Sequence, residues 1–211
     1  MPCVAQSGAS PSNSYTLTGI PGKLTWKNHP ASFHIEGGNQ LTISAGPKTD
    51  WFVDPFNGKI ANTGPVLLFS PGKDYVLSAK VSVSFKTKWD AGAFVVYADE
   101  HHWAKLALEY SPDNQPTMVT VVTRGYSDDC NSIAVSGNEV YLQIARTGNT
   151  YVFYSSIDKK KWNILRTFYF DTVAEARVGF AAQSPAGDGA TAKFTEIQYA
   201  KGKTKNIYTG Q

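Results

Sequence analysis

The chain has 211 residues, of which 42% are hydrophobic and 18% are charged, so it is long enough for one domain with its own core and needs neither disulfides nor a structural metal. Its net charge of +3 is too small to indicate a nucleic-acid partner. No apolar run approaches the roughly 20 residues that span a bilayer, so we expect no membrane association. We also expect no cofactor.

Two features favour a cytoplasmic protein. Cys3 and Cys130 are the only cysteines, and because Cys3 lies near a terminus we expect both thiols to be reduced, as in the cytosol. The first residues, MPCVAQSGASPSNSY, have neither the basic region nor the apolar region of a signal peptide. Residues 1–14 are rich in Ser, Gly, Pro and Asn, and we expect them to be flexible.

From residue 15 to residue 200 the chain consists of short β-type runs separated by turn residues. In one run, 74–85, the odd-numbered positions are apolar and most even-numbered positions are polar, which predicts a half-exposed antiparallel strand. We count about a dozen such runs and no helix of ten residues or more; only residues 171–176 could form a helical turn. The pattern predicts an all-β fold of two packed antiparallel sheets at 15–200, followed by a polar tail at 201–211.

Residues 49–60, TDWFVDPFNGKI, do not follow the strand pattern. Their mixture of Asp, aromatic and Pro residues predicts an ordered loop. Asp50, Asp54 and Asn57 could offer oxygen ligands to calcium, but their spacing matches no EF-type loop. We therefore expect a loop tied by Asx hydrogen bonds and no metal site.

The stretch from Trp89 to Ser132 contains three strands and most of the unusual polar residues. In the second strand Ala104, Leu106, Leu108 and Tyr110 share one face, which we assign to the core. The opposite face carries Trp103, Lys105, Ala107 and Glu109.

If the first turn of this stretch centres on Asp99–Glu100, Asp90 lies opposite Glu109. Two carboxylates facing each other on a sheet require a cation, a proton or a metal, whereas a register slip of one residue would separate them. The turn also contains His101 and His102, which lack a second ligand set at zinc spacing, so we expect a surface turn there.

The third strand ends in a polar segment. Thr123, Ser127, Asp128 and Asn131 belong to this segment, which has the sequence TRGYSDDCNS at 123–132. It could be an Asx-rich turn that satisfies its own backbone, or it could close one end of a groove over the face of Trp103 and Glu109. Carboxylates, amides and an aromatic platform together are typical of sugar recognition.

Several motifs carry a family resemblance. The stretches TDWFVDP, WDAGAFVVYADEHHWAKLALEY and VGFAAQSPAGDG, in this order, resemble a family of unknown function that is often labelled regulation-of-enolase-like, within the concanavalin A-like lectin/glucanase superfamily. The resemblance runs from about Leu24 to Tyr199. It implies a jelly-roll sandwich of two curved antiparallel sheets, with ligands lying across the concave sheet.

Ten positions match the residues typical of that family: Asp50, Asp90, Trp103, Lys105, Glu109, Thr123, Ser127, Asp128, Ser184 and Pro185. Two places depart from the more common family form. Ala91–Gly92 stands where Gln-Ala is usual, and Ser-Asp-Asp-Cys stands where Ser-Asp-Trp-Ser is usual. A polar amide and a stacking aromatic ring are therefore missing.

The glucanases of that superfamily use a Glu-x-Asp-x-(x)-Glu run to place two carboxylates on one strand face, and no glutamate of this chain begins such a run. Candidate catalytic carboxylates are Glu109, Asp90 and Asp128, with Lys105 tuning their pKa values. Cys130 follows two aspartates, which disfavour a thiolate nucleophile.

We therefore expect a carbohydrate or another polyhydroxylated molecule to bind on the concave sheet. The expected ligand-binding residues are Trp103, Lys105, Glu109, Asp90, Thr123, Ser127, Asp128 and Asn131. Two alternatives remain open: a glycan-cleaving or sugar-modifying enzyme that uses the same groove, and a protein-interaction module that regulates carbohydrate metabolism. The sequence leaves the oligomeric state open.

Overall fold

The computed structural model of the protein describes residues 14–171 and 175–211. Throughout these residues the chain forms β-strands and turns, with no α-helix and thus no helix that could cross a membrane. The strands are β1 (Ser14–Tyr15), β2 (Leu24–Lys27), β3 (Ser32–Glu36), β4 (Gln40–Ala45), β5 (Trp51–Val53), β6 (Ile60–Asn62), β7 (Val66–Phe69), β8 (Tyr75–Ser84), β9 (Ala91–Asp99), β10 (His102–Tyr110), β11 (Pro116–Arg124), β12 (Tyr126–Ala134), β13 (Glu139–Thr147), β14 (Thr150–Ser156), β15 (Asn163–Tyr169), β16 (Arg177–Gln183) and β17 (Ala190–Lys201). Of the residues predicted to be flexible, 1–14, residues 1–13 lie outside the described part of the chain, and Ser14 begins β1. The central residues of the predicted helical turn at 171–176 also lie outside it.

The strands form two large antiparallel sheets and one small hairpin. The first sheet has eight strands in the order β1-β2-β7-β16-β9-β10-β11-β12, and the second has seven in the order β15-β14-β13-β8-β17-β4-β3. Strands β5 and β6 pair only with each other. The predicted all-β sandwich of two antiparallel sheets is confirmed.

The main hydrophobic core lies between the two large sheets. Phe94 of β9 and Phe180 of β16 contact Phe194 of β17, with ring centroids 6.1 and 5.3 Å apart. The predicted core face of β10 contributes Leu106 and Leu108, neither of which is exposed to solvent. The two-residue period of the strands thus determines which side chains enter this core.

The eight-stranded sheet is also buried on its outer face, the face directed away from the main core. Seven consecutive residues of each of β9, β10 and β11 are buried, which requires cover on both sides. The β5–β6 hairpin supplies part of that cover through Trp51, whose ring lies edge-on to Trp103 and Tyr97 at centroid distances of 5.6 and 5.8 Å. We predicted that residues 49–60 form an ordered loop. The structure has a hairpin there instead, because short strands on both sides of the turn pair with each other.

The turn between β9 and β10 determines the register of the site. His102 pairs with Asp99, but a β-bulge follows, so Trp103 pairs with Tyr97 and Glu109 pairs with Ala91. Of the two registers that the sequence left open, the structure has the one in which a shift of one residue separates Asp90 from Glu109. His101 and His102 lie at this turn, as predicted.

The C-terminal residues, predicted as a polar tail, lie against the outer face of the seven-stranded sheet. The side-chain amide of Gln143 donates to the carbonyl of Gly210 at 2.7 Å, and the hydroxyl of Tyr154 donates to the carbonyl of Ile207 at 2.7 Å. A Cβ atom at Gly210 would lie 2.9 Å from Cβ of Trp162. The last residues of the chain therefore cover Trp162 closely.

Candidate functional site

A pocket of about 320 Å³ opens on the outer face of the eight-stranded sheet, beside the β5–β6 hairpin. We call it the outer pocket. Its polar lining comes from β10, β12, β16 and the residue before β5, and its apolar lining comes mainly from β5, β11 and the turn before β9. The lining residues are Asp50, Phe52, Trp89, Lys105, Glu109, Val119, Val121, Asp129, Gln183 and Pro185.

Lys105 and Gln183 form the polar floor of the outer pocket. The Nζ atom of Lys105 donates to the carbonyl of Trp51 at 2.9 Å and to Oε1 of Gln183 at 3.0 Å. The amide of Gln183 in turn donates to the carbonyl of Trp89 at 3.1 Å and to Oε2 of Glu109 at 3.5 Å. This chain of contacts links β10, β16 and the hairpin, so it holds the floor in one geometry.

Glu109 is the most perturbed carboxyl group in the outer pocket. It lies on the same face of β10 as Lys105 and is only 5% exposed. Burial raises the pKa of Glu109 to about 7, and the negative charges of Asp129 and Asp50 act in the same direction, while the ammonium of Lys105 opposes them. At neutral pH this group can therefore either donate or accept a proton.

Two further carboxylates lie at the rim of the outer pocket. Partial burial raises the pKa of Asp129, although the ammonium of Lys105 and the backbone amide of Cys130 act against this shift. Asp50 accepts a hydrogen bond from the backbone amide of Trp51 at 2.7 Å. The rim is thus acidic on both sides of the lysine.

Trp89 forms the accessible aromatic wall. Its side chain remains 42% exposed, and its backbone has a positive φ of 68°. The backbone amide of Trp89 donates to the carbonyl of Tyr110 at 2.7 Å, which holds this unusual conformation at the start of β9. The turn therefore holds the backbone of Trp89 at the edge of the pocket.

Trp103, predicted to stack on a ligand, is only 1% exposed. It faces outward from β10 as expected, but the hairpin covers it and Trp51 packs against its ring. The prediction that Trp103 is accessible is wrong, because the covering residues come from a separate part of the chain. The exposed tryptophan at this pocket is Trp89.

Asp90, a predicted ligand-binding and catalytic residue, is fully buried outside the outer pocket. Its carboxylate accepts hydrogen bonds from the backbone amides of Lys86 and Thr87 at 2.8 and 2.9 Å. The hydroxyls of Thr87 and Ser184 donate to it at 3.0 and 2.7 Å. Asp90 ties the turn before β9 to the end of β16, so its role is structural.

Thr123 and Ser127, also predicted to bind ligand, are buried beneath the hairpin. Their hydroxyl oxygens lie 2.9 Å apart, and that of Ser127 accepts a hydrogen bond from the backbone amide of Val53 at 2.9 Å. Both predictions are wrong, because these hydroxyls anchor β5 to the large sheet.

In the predicted polar loop at 123–132, Thr123 and Arg124 end β11, and after Gly125 the residues belong to the edge strand β12, which pairs with β11. Asp128 points away from the outer pocket and forms an ion pair with Arg166 of β15 at 2.8 Å. Asn131 is exposed opposite Val119 and does not line the pocket. Asp129, between them, is the residue of β12 that reaches the site.

Asp54 belongs to the loop tie that we predicted. It accepts hydrogen bonds from the backbone amide of Phe56 and the side-chain amide of Asn57, at 2.8 and 2.7 Å. Within the described residues no cluster of His, Cys, Asp and Glu side chains has the arrangement of a metal site.

Of the five polar residues that line the pocket, Lys105 and Glu109 are predicted ligand-binding residues, whereas Asp50, Asp129 and Gln183 are not. The sequence contains a pattern for Gln183 and Asp129. In β16 the residues Val178, Phe180 and Ala182 enter the main core, so the two-residue period places Gln183 on the outer face. Asp129 shares a face with buried Ser127 by the same rule.

The fold and the site together define a β-sandwich with a small, polar-floored pocket on the outer face of one sheet. The chain belongs to the family described as "Protein of unknown function (DUF1349)", whose model matches residues 26–202. The family resemblance in the sequence is thus confirmed.

Individual relatives agree with this assignment. The chain is 29% identical over 174 residues to "Regulation of enolase protein 1" of Saccharomyces cerevisiae, which covers 82% of this chain and 86% of that protein. The crystal structure of a functionally unknown protein from Saccharomyces cerevisiae matches with a TM-score of 0.79 and 26% identity, over 86% of this chain and 97% of the other.

The GH43 BlXynB protein from Bacillus licheniformis matches with a TM-score of 0.66 and 17% identity, over 94% of this chain but only 41% of that protein. This likeness concerns the fold, which is the jelly-roll sandwich that the family resemblance implied.

Proposed function

We propose that the outer pocket binds a carbohydrate ring, or a polyhydroxylated molecule of similar size. The observation that carries this proposal is one pocket that combines the exposed indole of Trp89 with three hydrogen-bonding side chains on its floor and inner wall. A sugar has apolar C–H faces surrounded by hydroxyl groups. An aromatic ring that stacks on a C–H face and side chains that hydrogen-bond to the hydroxyl groups can therefore bind it jointly.

The size of the outer pocket limits the ligand. Its volume of about 320 Å³ lies at the lower end of the range of about 300–1,000 Å³ that ligand pockets occupy. We therefore propose a single ring in the pocket, with any further rings of a longer glycan lying outside it.

Each polar group in the outer pocket has a role in this proposal. Gln183 already directs its two amide N–H groups to the carbonyl of Trp89 and to Glu109, so it offers a ligand hydroxyl the remaining acceptor site on its oxygen. Glu109 and Asp129 accept from hydroxyls, and Lys105 keeps one donor beyond its two bonds to the protein. Trp89 replaces Trp103 as the stacking residue.

A second candidate function is a glycan-cleaving or sugar-modifying enzyme in the same pocket. The observation that favours it is the pKa of Glu109, raised by burial to about 7, which suits a general acid at neutral pH. Asp129 would be the second carboxylate.

A panel of mono- and oligosaccharides, screened by thermal unfolding, tests the binding proposal. A ligand at 100 times its Kd adds about 2.7 kcal/mol of stability, which should raise the Tm of a domain of this size by about 5–10 °C. If no sugar raises the Tm, the proposed function is wrong.

Two variants localise any ligand found. Trp89→Ala should abolish the increase in Tm, because it removes the stacking surface, and its partial exposure means that the fold should survive. Phe56→Ala is the matched control, since Phe56 is 96% exposed at the turn between β5 and β6 and does not line the pocket. If both variants lose the ligand-induced increase in Tm equally, the ligand binds elsewhere.

Incubation of the ligand with the protein over hours separates binding from catalysis. Release of product that disappears in Glu109→Gln would favour the enzyme, whereas unchanged ligand favours a binding protein. Binding of one stoichiometric protein partner, with no sugar bound, would instead favour an interaction module.

A further inference from the structure

The charges that line the outer pocket are unbalanced. Asp50, Glu109 and Asp129 contribute three carboxyl groups, whereas Lys105 is the one cationic side chain among the lining residues. The ammonium of Lys105 already donates two of its three N–H groups to the protein, to the carbonyl of Trp51 and to a side-chain amide. Little of its hydrogen-bonding capacity remains for an anionic ligand.

Glu109 also lacks a strong partner. Its side chain is about nineteen-twentieths buried, yet within the described part of the chain Oε1 accepts no hydrogen bond. Oε2 accepts only the 3.5 Å contact from Gln183, near the limit for a hydrogen bond. Oε1 is not among the enclosed atoms that lack a partner, so it faces the open pocket, where water or a ligand can donate to it.

We propose that the outer pocket selects a ligand that carries a protonated amine, so that the carbohydrate it binds is an amino sugar. This inference rests on the proposed function and specifies its ligand class. The ammonium group donates to Glu109 and lies near the carboxylate of Asp129, while Trp89 stacks on the ring. Sugars with a carboxylate or phosphate group are excluded by the same three carboxyl groups.

Binding depends on pH through Glu109. The charged groups that face it are Lys105 on its own strand, Asp129 on β12 and Asp50 before β5. As pH rises through about 7 this carboxyl group ionises, so the affinity for a protonated amine increases over the range in which the amine keeps its proton. The affinity for a neutral sugar changes less, because a hydroxyl can bond to either form of the group.

Isothermal titration calorimetry with a matched series of ligands tests the inference. The series is glucose, 2-amino-2-deoxyglucose, 6-amino-6-deoxyglucose, N-acetylglucosamine and glucuronate, with the equivalent galactose and mannose derivatives. At pH 7.5 and low salt, the best amino sugar should bind about tenfold more tightly than its neutral parent, as expected when a neutral hydrogen bond is replaced by a charge-assisted one. At pH 5.5 the ratio should shrink.

Two variants test the role assigned to Glu109. In Glu109→Gln the ratio of the neutral and amino-sugar dissociation constants should fall to near one. In Asp128→Asn the ratio should stay as in the wild type, because that residue loses the same charge but is paired with Arg166 outside the pocket.

The outcomes separate the two proposals. Equal affinity for a neutral sugar and its amino derivative, or tighter binding of glucuronate, overturns the amine preference and leaves the carbohydrate site standing. Absence of binding by every member of the series overturns both.

Discussion

Replacement of Glu109 by Gln should stabilise the protein at neutral and alkaline pH. The substitution keeps the shape of the side chain and removes a carboxyl group that burial makes costly to ionise. Burial raises the pKa of this group from 4.5 to about 7. Because the folded-state pKa is the higher one, the folded state binds more protons between these values, and the carboxyl group lowers stability as pH rises.

The size of the effect follows from the two pKa values. At about 1.4 kcal/mol per unit of pKa, the difference between 4.5 and about 7 corresponds to about 3 kcal/mol. The wild type bears this penalty in full above pH 7 and escapes it below pH 4.5. Relative to the wild type, Glu109→Gln should therefore gain little at pH 4.5 and up to about 3 kcal/mol at pH 8.

Urea denaturation at intervals between pH 4.5 and 8, with a common m-value, measures this difference in the free energy of unfolding. Glu100→Gln is a control of opposite sign. Burial raises the pKa of Glu100, but hydrogen bonds from Lys27 and Asn62 outweigh it and lower the pKa overall. Stability from Glu100 is therefore present at neutral pH and lost on acidification, so its removal should destabilise the protein at pH 8.

If the difference in the free energy of unfolding between the wild type and Glu109→Gln stays constant from pH 4.5 to 8, the pKa of Glu109 is not raised. Destabilisation by Glu109→Gln at pH 8 would show instead that the ionised carboxylate is held favourably by Lys105. A residue that destabilises the fold at the pH where it would bind ligand is common at functional sites.

Three further substitutions test the hydrogen bonds and the packing of the fold. Asp90→Ala leaves four hydrogen-bond donors without their acceptor in the turn before β9, and should lower the unfolding free energy in urea by about 3 kcal/mol or more. Trp103→Ala should cost about 3–5 kcal/mol in the same assay, whereas Trp89→Ala should cost far less; equal costs would contradict the burial difference between the two indoles. In Gly92→Ala the new Cβ would lie 2.7 Å from the side chain of Ala192 and 2.9 Å from that of Val81, so calorimetry should detect a loss of about 1–3 kcal/mol, and an unchanged Tm would mean that the sheets can separate locally.

The sequence by itself determined the strand pattern and the two faces of β10. Leu106 and Leu108 enter the main core because side chains alternate along a strand, and the same rule placed Lys105 and Glu109 on the opposite face. These features are local, so they can be read from residues close together in the chain. The family resemblance added the jelly-roll arrangement.

Only the tertiary structure decided which outward side chains reach a ligand. Trp103 has the pattern of an accessible residue, but Trp51 from the distant hairpin covers it. His102 pairs with Asp99 and a β-bulge follows, so the hairpin places Ala91, and not Asp90, opposite Glu109; no period in the sequence encodes this combination of turn and bulge. Gln183 joins the pocket because β16 lies beside β9, a long-range pairing that brings its amide to Lys105.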